Sequence, residues 1–360
     1  MDKQEILAGR LAKLRAYLAE KQLEAAVLTS YENRFYFSGF TGSNGYLIVT
    51  QDAVRLVTDR RYTTQAKHQT ADCEVIELQR NRLTEVTALL HKMGTASLVL
   101  ENSLPAGDYL QFVRELPGVR LTLESERFLE MRMVKEPGEI AAIRAAIAIA
   151  EGAFDQILPL LKIGMTEKDL ADELDYRCRR LGADRMSFDT ICASGPRGAL
   201  AHGFPTERVI ADGEMVVVDF GVFRDGYCSD MTRTLLFGNV PPRRQHIFDL
   251  VQEAISLGVG AVRPGAIAGD VEFAHRAPYF REGLNDYELK GLGHGIGVEI
   301  HECPRIVIDN PTVLQPGMVF TIEPGLYFPE DCGVRIEDDV LVTPTGVEDL
   351  SHTPHELHVG

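Results

Sequence analysis

MVVVDFGVFRDGYCSD, residues 215–230, decides the reading of this chain. Met215 to Val218 is a short apolar run, the mark of a buried strand. It ends in Asp219, and a carboxylate buried there is costly unless it is paired or bound to a metal. Asp225-Gly226 is a strong hairpin dipeptide, because both central residues of a type I′ turn need positive φ. With those two at the centre, Gly221 opposes Asp230 and Asp219 opposes Thr232. Asp219 and Asp230 then share a face as diagonal neighbours, with Cβ atoms about 7–8 Å apart or less. Carboxylates at that spacing can hold one ion, or two ions about 3.5–4 Å apart. Without a cation, like charges so close force one to keep its proton. A register slip or a bulge would spoil the geometry.

A second passage has the same form. VFTIEPGLY (319–327) parallels MVVVDFGVF (215–223): an acid, a glycine two residues on, an aromatic two beyond that. A second strand follows each, carrying Asp230 and Glu337. Upstream, IGMTEKDL (163–170) opens a helix and PGAIAGDV (264–271) resembles a degenerate copy of it. The expected arrangement is two related halves, each giving a hairpin with two carboxylates to a shared centre. Glu323 and Glu337 should repeat the geometry of the first pair, with Pro329–Cys332 and Gly333 as the loop between them. The alternative is a chance likeness of two amphipathic hairpins.

His294, in GLGHGIG (291–297), completes the set, and its glycines imply close backbone approach. Four carboxylates and one imidazole are a hard, oxygen-rich donor set, which favours Mn²⁺ or Co²⁺, with Zn²⁺ admissible, over a structural zinc. The glycine run does not match GxGxxG, and HECPR (301–305) is not HExxH, so dinucleotide and zincin readings fail. His68, His91, His246, His275, His352, His355 and His358 read as structural or surface residues.

Working outward, 360 residues suit two domains. Helical periodicity over 6–22, 83–91 and 106–116 alternates with strand-like runs at 25–29, 45–49, 55–58 and 97–101, which describes a small α/β domain. A long helical pattern over 139–161 starts the second part. The boundary falls near residue 130, giving domains 1–130 and 131–360. With 37 basic against 53 acidic residues and a net charge of -16, the chain would repel a phosphate backbone, so no nucleic-acid partner is expected. No stretch approaches the ~20 apolar residues that span a bilayer, and the start lacks a signal-peptide core. Six scattered cysteines without a CxxC pair read as reduced thiols, so the expected location is the cytoplasm.

With these residues placed, a family resemblance is visible. ASGPRGALAHG (193–203), VDFGV (218–222), YCSDMTRT (227–234), GHGIGVEIHE (293–302), FTIEPG (320–325) and GVRIEDD (333–339) resemble the aminopeptidase P and prolidase family in order and spacing. NRFYFSGFT (33–41) and TDRRY (58–62) resemble its creatinase-type N-terminal domain. The resemblance implies an α+β protein, a pita-bread catalytic domain preceded by the smaller α/β domain. It implies a dinuclear hydrolase, usually a homodimer, that cleaves the N-terminal residue from short peptides with proline second. Asp219 would chelate one ion, His294 the other; Asp230 and Glu337 would bridge, and Glu323 would bind and act as base. His202 and His301 would orient substrate and stabilise the oxyanion, and Arg335 would hold a ligand carboxylate. One position departs. Aminopeptidase P-like members usually have a histidine four residues before the metal histidine, and here it is Lys290, which bears on substrate preference. Two other readings stay open: a creatinase-like amidinohydrolase working without metal, and a pita-bread binding module with little activity.

Overall fold

A computed structural model describes residues 3–79 and 82–360, which fall into two compact units, Met1–Arg132 and Met133–Gly360. In the first unit, six strands form one mixed sheet: β1 (Ala25–Leu28), β2 (Tyr46–Thr50), β3 (Val54–Asp59), β4 (Glu74–Leu78), β5 (Ser97–Glu101) and β6 (Arg120–Glu124), in the order β4-β3-β2-β1-β5-β6. β1 lies inside the sheet, antiparallel to β2 and parallel to β5, and all four of its residues are buried. That is why AAVL shows no alternation: a strand covered on both faces is apolar throughout. β4 and β6 escape the sequence reading because Glu74, Glu77, Arg120 and Glu124 interrupt their short apolar runs.

The second unit holds β7 (Arg185–Met186), β8 (Ile191–Ser194), β9 (Met215–Phe220), β10 (Val222–Arg224), β11 (Tyr227–Cys228), β12 (Met231–Phe237), β13 (Gly293–Gly295), β14 (Glu302–Ile306), β15 (Val319–Ile322), β16 (Gly325–Phe328), β17 (Cys332–Arg335), β18 (Asp338–Val342), β19 (Val347–Asp349) and β20 (Leu357–Val359). Two main sheets result, β20-β12-β9-β8 and β14-β13-β15-β18-β19. Each is backed by helices. Val216, Val218, Phe220 and Leu235 pack with Phe154 and Leu174, from the helices Pro137–Ile157 and Glu167–Leu181. Phe320, Ile322 and Val340 pack with Phe248, Val251 and Ile255 from the helix Pro242–Ala261. Each such side chain contributes roughly 1.5–3 kcal/mol by leaving water. Beneath the first acid, Phe154 and Phe220 stack at 5.5 Å.

The helix expected over 139–161 runs Pro137–Ile157 and ends in a single 3-10 turn, Leu158–Leu160. Pro137 sits in its first turn, where no amide hydrogen is needed, and Glu136 and Glu139 close a capping box. The polar ends therefore set the start, two residues before the periodicity becomes visible.

Register decides where the acids go. Asp225 (φ 51°) and Gly226 (φ 90°) form the turn, and Arg224 pairs with Tyr227. The same register continues through Phe220–Met231 and Asp219–Thr232, as the dipeptide dictates. In the second hairpin Phe328 pairs with Cys332 across the three-residue loop Pro329–Asp331, with Glu330 at φ 67°. Cys332 and Gly333 therefore belong to β17, not to the loop. Gly325–Arg335 on one side and Ile322–Asp338 on the other bring Glu323 opposite Glu337. This pair is face to face, not diagonal as in the first hairpin, because the second loop is one residue longer and two more residues precede the acid on the return strand.

Candidate metal centre

Asp230 stands at the head of β12, His294 on β13, and Glu337 between β17 and β18. One ligand atom from each lies within 4.8 Å of the other two. All three residues are buried. His294 Nε2 is 3.7 Å from Asp230 Oδ2 and 3.5 Å from Glu323 Oε1, so Glu323 borders the same point. Asp219 sits on β9 beside them. Arg335 Nη2 donates to its Oδ2 at 2.6 Å, and the same guanidinium meets Tyr327 Oη at 2.9 Å, Ala201 O at 3.2 Å and Thr232 Oγ1 at 3.2 Å.

The neighbours fix orientation. Thr232 Oγ1 donates to Glu337 Oε2 at 2.6 Å, and Thr321 Oγ1 lies 3.3 Å from Glu323 Oε1 while accepting the His294 amide at 3.1 Å. His294 Nδ1 faces Gly295 O at 3.2 Å, which turns Nε2 toward the carboxylates. Asp339, fully buried, accepts the Asp230 amide at 3.1 Å. Thr232, Thr321, Tyr327 and Asp339 are residues that the sequence reading missed. Their signal is weak: threonines and an aspartate in apolar strands become informative only once register places them next to an acid.

Electrostatics show a centre short of positive charge. Burial, then Glu337 and Asp219, push the Asp230 carboxyl well above its ordinary range. Burial, then Glu323 and Asp219, do the same to Glu337. Glu323 is pushed up to about 7 by burial, with Arg335 opposing and Asp219 adding to the rise. It is the most open of the set, its side chain 26% exposed. His294 is lowered to about 3 by burial and by His301, so its imidazole is neutral and free to act as a ligand. Asp219 Oδ1 and Asp230 Oδ1 are buried with no hydrogen-bond partner. Orphaned oxygens are rare in a folded interior, and crowded acids beside a neutral imidazole are what a divalent cation would satisfy. The residues present fit such a group.

A cavity of about 530 Å³ opens over the centre. His202, His301, Lys290 and Arg335 all line it, as do Phe188, Phe204, Leu289, Ile300 and Arg305. The His301 ring lies 4.4 Å from that of His294, edge to face, and burial followed by the Arg305 charge lowers its pKa. His202, His301 and Lys290 are exposed at this wall. His275, read from sequence as a structural or surface residue, is buried and also lines the cavity, 3.5 Å from Glu288. His355 is held by Asp338 at 2.6 Å, behind the site.

Comparison with known proteins follows the same division. Residues 141–344 match the model of metallopeptidase family M24, and residues 10–134 match the creatinase/prolidase N-terminal domain. An uncharacterized peptidase of Bacillus subtilis is 37% identical over 97% of this chain and 99% of its own. The Xaa-Pro dipeptidase of Pyrococcus furiosus is 34% identical over 97% and 99%. Among solved structures, an Xaa-Pro dipeptidase from Bacillus anthracis superposes with a TM-score of 0.94 at 34% identity, covering 98% of this chain and 100% of that one. An X-Pro aminopeptidase from Thermotoga maritima gives 0.89 at 32% identity, covering 97% and 99%.

Proposed function

This chain belongs to metallopeptidase family M24, and on that premise we propose that it is a dinuclear peptidase that removes the N-terminal residue from short peptides with proline in the second position. It is a hydrolase with the pita-bread catalytic fold behind a creatinase-type domain. The observation that carries the reading is the cluster of Asp230, His294 and Glu337, bordered by Glu323 and Asp219, with two orphaned carboxylate oxygens inside it. Asp219, Asp230, His294, Glu323 and Glu337 would hold two divalent ions, Mn²⁺ or Co²⁺ by the hardness of the donors, with Zn²⁺ admissible. When bound, such ions supply Lewis-acid polarisation of the scissile carbonyl and acidify the attacking water.

The remaining work falls to side chains. Glu323, bordering the same point as His294 Nε2, accepts the proton of the attacking water and passes it to the leaving proline nitrogen. His202 and His301, lining the cavity, donate to the oxygen that gains charge. Arg335 holds Asp219 from behind. Two domains, 1–130 and 131–360, belong to the proposal, and the division of the chain into compact units after Arg132 supports it. A homodimer in the cytoplasm completes the proposal. Among the described residues no helix is long and apolar enough to cross a membrane.

Lys290 and Arg305 favour dipeptides over longer substrates. Both line the cavity, and among the described residues neither has an ion-pair partner, although the chain carries a net charge of -16. Two uncompensated cations near the scissile bond suit a free C-terminal carboxylate. Purified protein loaded with Mn²⁺ should release the N-terminal residue from Xaa-Pro dipeptides faster than from Xaa-Pro-Yaa tripeptides. Lys290→His should narrow that difference. Full activity in Glu323→Gln would overturn the mechanism, and absence of bound metal by elemental analysis would return the amidinohydrolase reading.

A further inference from the structure

The two carboxylate hairpins meet along one backbone bridge, Thr232 against Glu337. On the face toward the acids, Thr232 Oγ1 holds Glu337 Oε2. Arg233 projects from the opposite face of the same strand, because successive side chains alternate. It is fully buried. Its Nη1 straddles the seam, donating to Thr232 O at 2.9 Å and Glu337 O at 2.6 Å. Nη2 reaches Asp338 Oδ1 at 2.8 Å and Thr353 O at 2.7 Å, while Nε is shared between Thr353 O and Pro354 O, each at 3.2 Å. The other oxygen of Asp338 meets His355 Nε2 at 2.6 Å. The tail is anchored in turn by Glu151, which accepts the Thr353 amide at 2.7 Å.

We propose that Arg233 is a positioning residue of the metal centre, clamping the seam from behind so that Asp219 and Asp230 keep their separation from Glu323 and Glu337. The segment 353–355 is the brace that holds the clamp. This inference rests on the dinuclear reading given above. On the face of the acids the bridge is joined by bonds between Thr234 Oγ1 and the Arg335 backbone and from Arg335 to Asp219; on the opposite face the planar fork of Arg233, spanning both carbonyls, stiffens it. A lysine ammonium cannot reproduce that fork. Stability alone does not explain the choice, since a buried ion pair is often replaced by apolar residues without loss. Its location at the seam does.

The test is Mn²⁺ affinity, measured by competition with a chelating dye, together with the electron paramagnetic resonance spectrum of the loaded protein. Four proteins are compared: wild type, Arg233→Lys, the double variant Arg233→Met/Asp338→Leu, and His355→Gln. The double variant leaves no orphan charge and should fold. It should weaken the second ion by about 10- to 100-fold and replace the spin-coupled pair with the six-line signal of an isolated ion. Arg233→Lys should fall between it and wild type, and His355→Gln should weaken the second ion by only about three-fold while keeping the coupled spectrum. A folded double variant with wild-type affinity for both ions and a coupled spectrum overturns the clamp and leaves the dinuclear reading standing. Wild type that binds fewer than two ions overturns both. If the double variant does not fold, Arg233→Lys decides: unchanged affinity and spectrum overturn the clamp, and weakened binding of the second ion supports it.

Discussion

In the first hairpin each acid faces an uncharged residue, Asp219 opposite Thr232 and Asp230 in register with Gly221; in the second, Glu323 and Glu337 face one another. The cause is spacing: the loop has three residues at Pro329–Asp331 against two at Asp225-Gly226, and the return strand carries two more residues before its acid. Like charges directly opposed in a sheet destabilise it. The second hairpin moderates the conflict by letting its strands part. The Glu323 amide turns to Leu292 O at 2.8 Å, and the Glu337 amide to Thr232 O at 3.1 Å. Asp219 has Arg335 as a charged partner, whereas Glu337 accepts from the Thr232 hydroxyl and Glu323 has the Thr321 hydroxyl at 3.3 Å and the neutral His294 ring at 3.5 Å. Two passages alike in sequence thus differ in how much they depend on a bound cation.

The largest expected effect probes that difference directly. Glu337→Gln should lower kcat/KM by at least about 10³-fold and abolish tight binding of the second ion, because Glu337 belongs to the three-residue cluster. Asp219→Asn keeps an oxygen for Arg335 and should lose about 10²-fold. Steady-state kinetics with metal titration checks the order, and a greater loss in Asp219→Asn would break the comparison.

Next comes the pH dependence of the chelated protein. Glu323 has a folded pKa of about 7 against an ordinary 4.5. A carboxylate raised in this way contributes stability that is present below its unfolded pKa and lost as pH rises through the folded value. Metal-free protein should therefore melt at lower temperature at pH 8 than at pH 5. For this one group the difference is at most about 3 kcal/mol, or roughly 6–12 °C in a domain of this size. Glu323→Gln should flatten that slope, and added Mn²⁺ should reverse it. Thermal melts across pH with and without chelator measure all three, and a metal-free wild type with the same slope as Glu323→Gln would sink the assignment.

How much of this was legible beforehand follows from the same contrast. The first hairpin could be drawn residue by residue because Asp225-Gly226 names both central turn positions. The second could not: between Pro329 and Gly333 no dipeptide marks the turn, and Glu330 at φ 67° gives no warning in sequence. A loop read as ending at Gly333, two residues too long, turned an opposed pair into a diagonal one. The four acids could nevertheless be singled out, since carboxylates at the ends of apolar strands stand out against any register. Thr232 on Glu337, Arg335 on Asp219 and the bridge that joins the sheets depend on the approach of strands about 100 residues apart, which local pattern does not encode. Arg335 was anticipated only through family resemblance. β4, β6 and the helix Tyr31–Ser38 went unread because their apolar faces are short and mixed.

The smallest effects lie in the turns themselves, and they should have opposite signs. Gly226 sits at φ 90°, where any other residue is strained, so Gly226→Ala should destabilise the unit by about 1 kcal/mol. Glu330 already bears that strain at φ 67°, so Glu330→Gly should be neutral or stabilising by up to about 1 kcal/mol, the relief being offset by the freer unfolded chain. Neither change touches an acid of the centre, and the flanking strands hold register through several further pairs. Metal affinity should therefore stay within about two-fold in both, since neither substitution changes a ligand or a residue that holds one. Equilibrium unfolding of the two variants measures the signs. If Gly226→Ala instead weakens metal binding ten-fold, the first turn would be setting the spacing of Asp219 and Asp230 by itself, and the sheet pairs beyond it would count for less than the register argument requires.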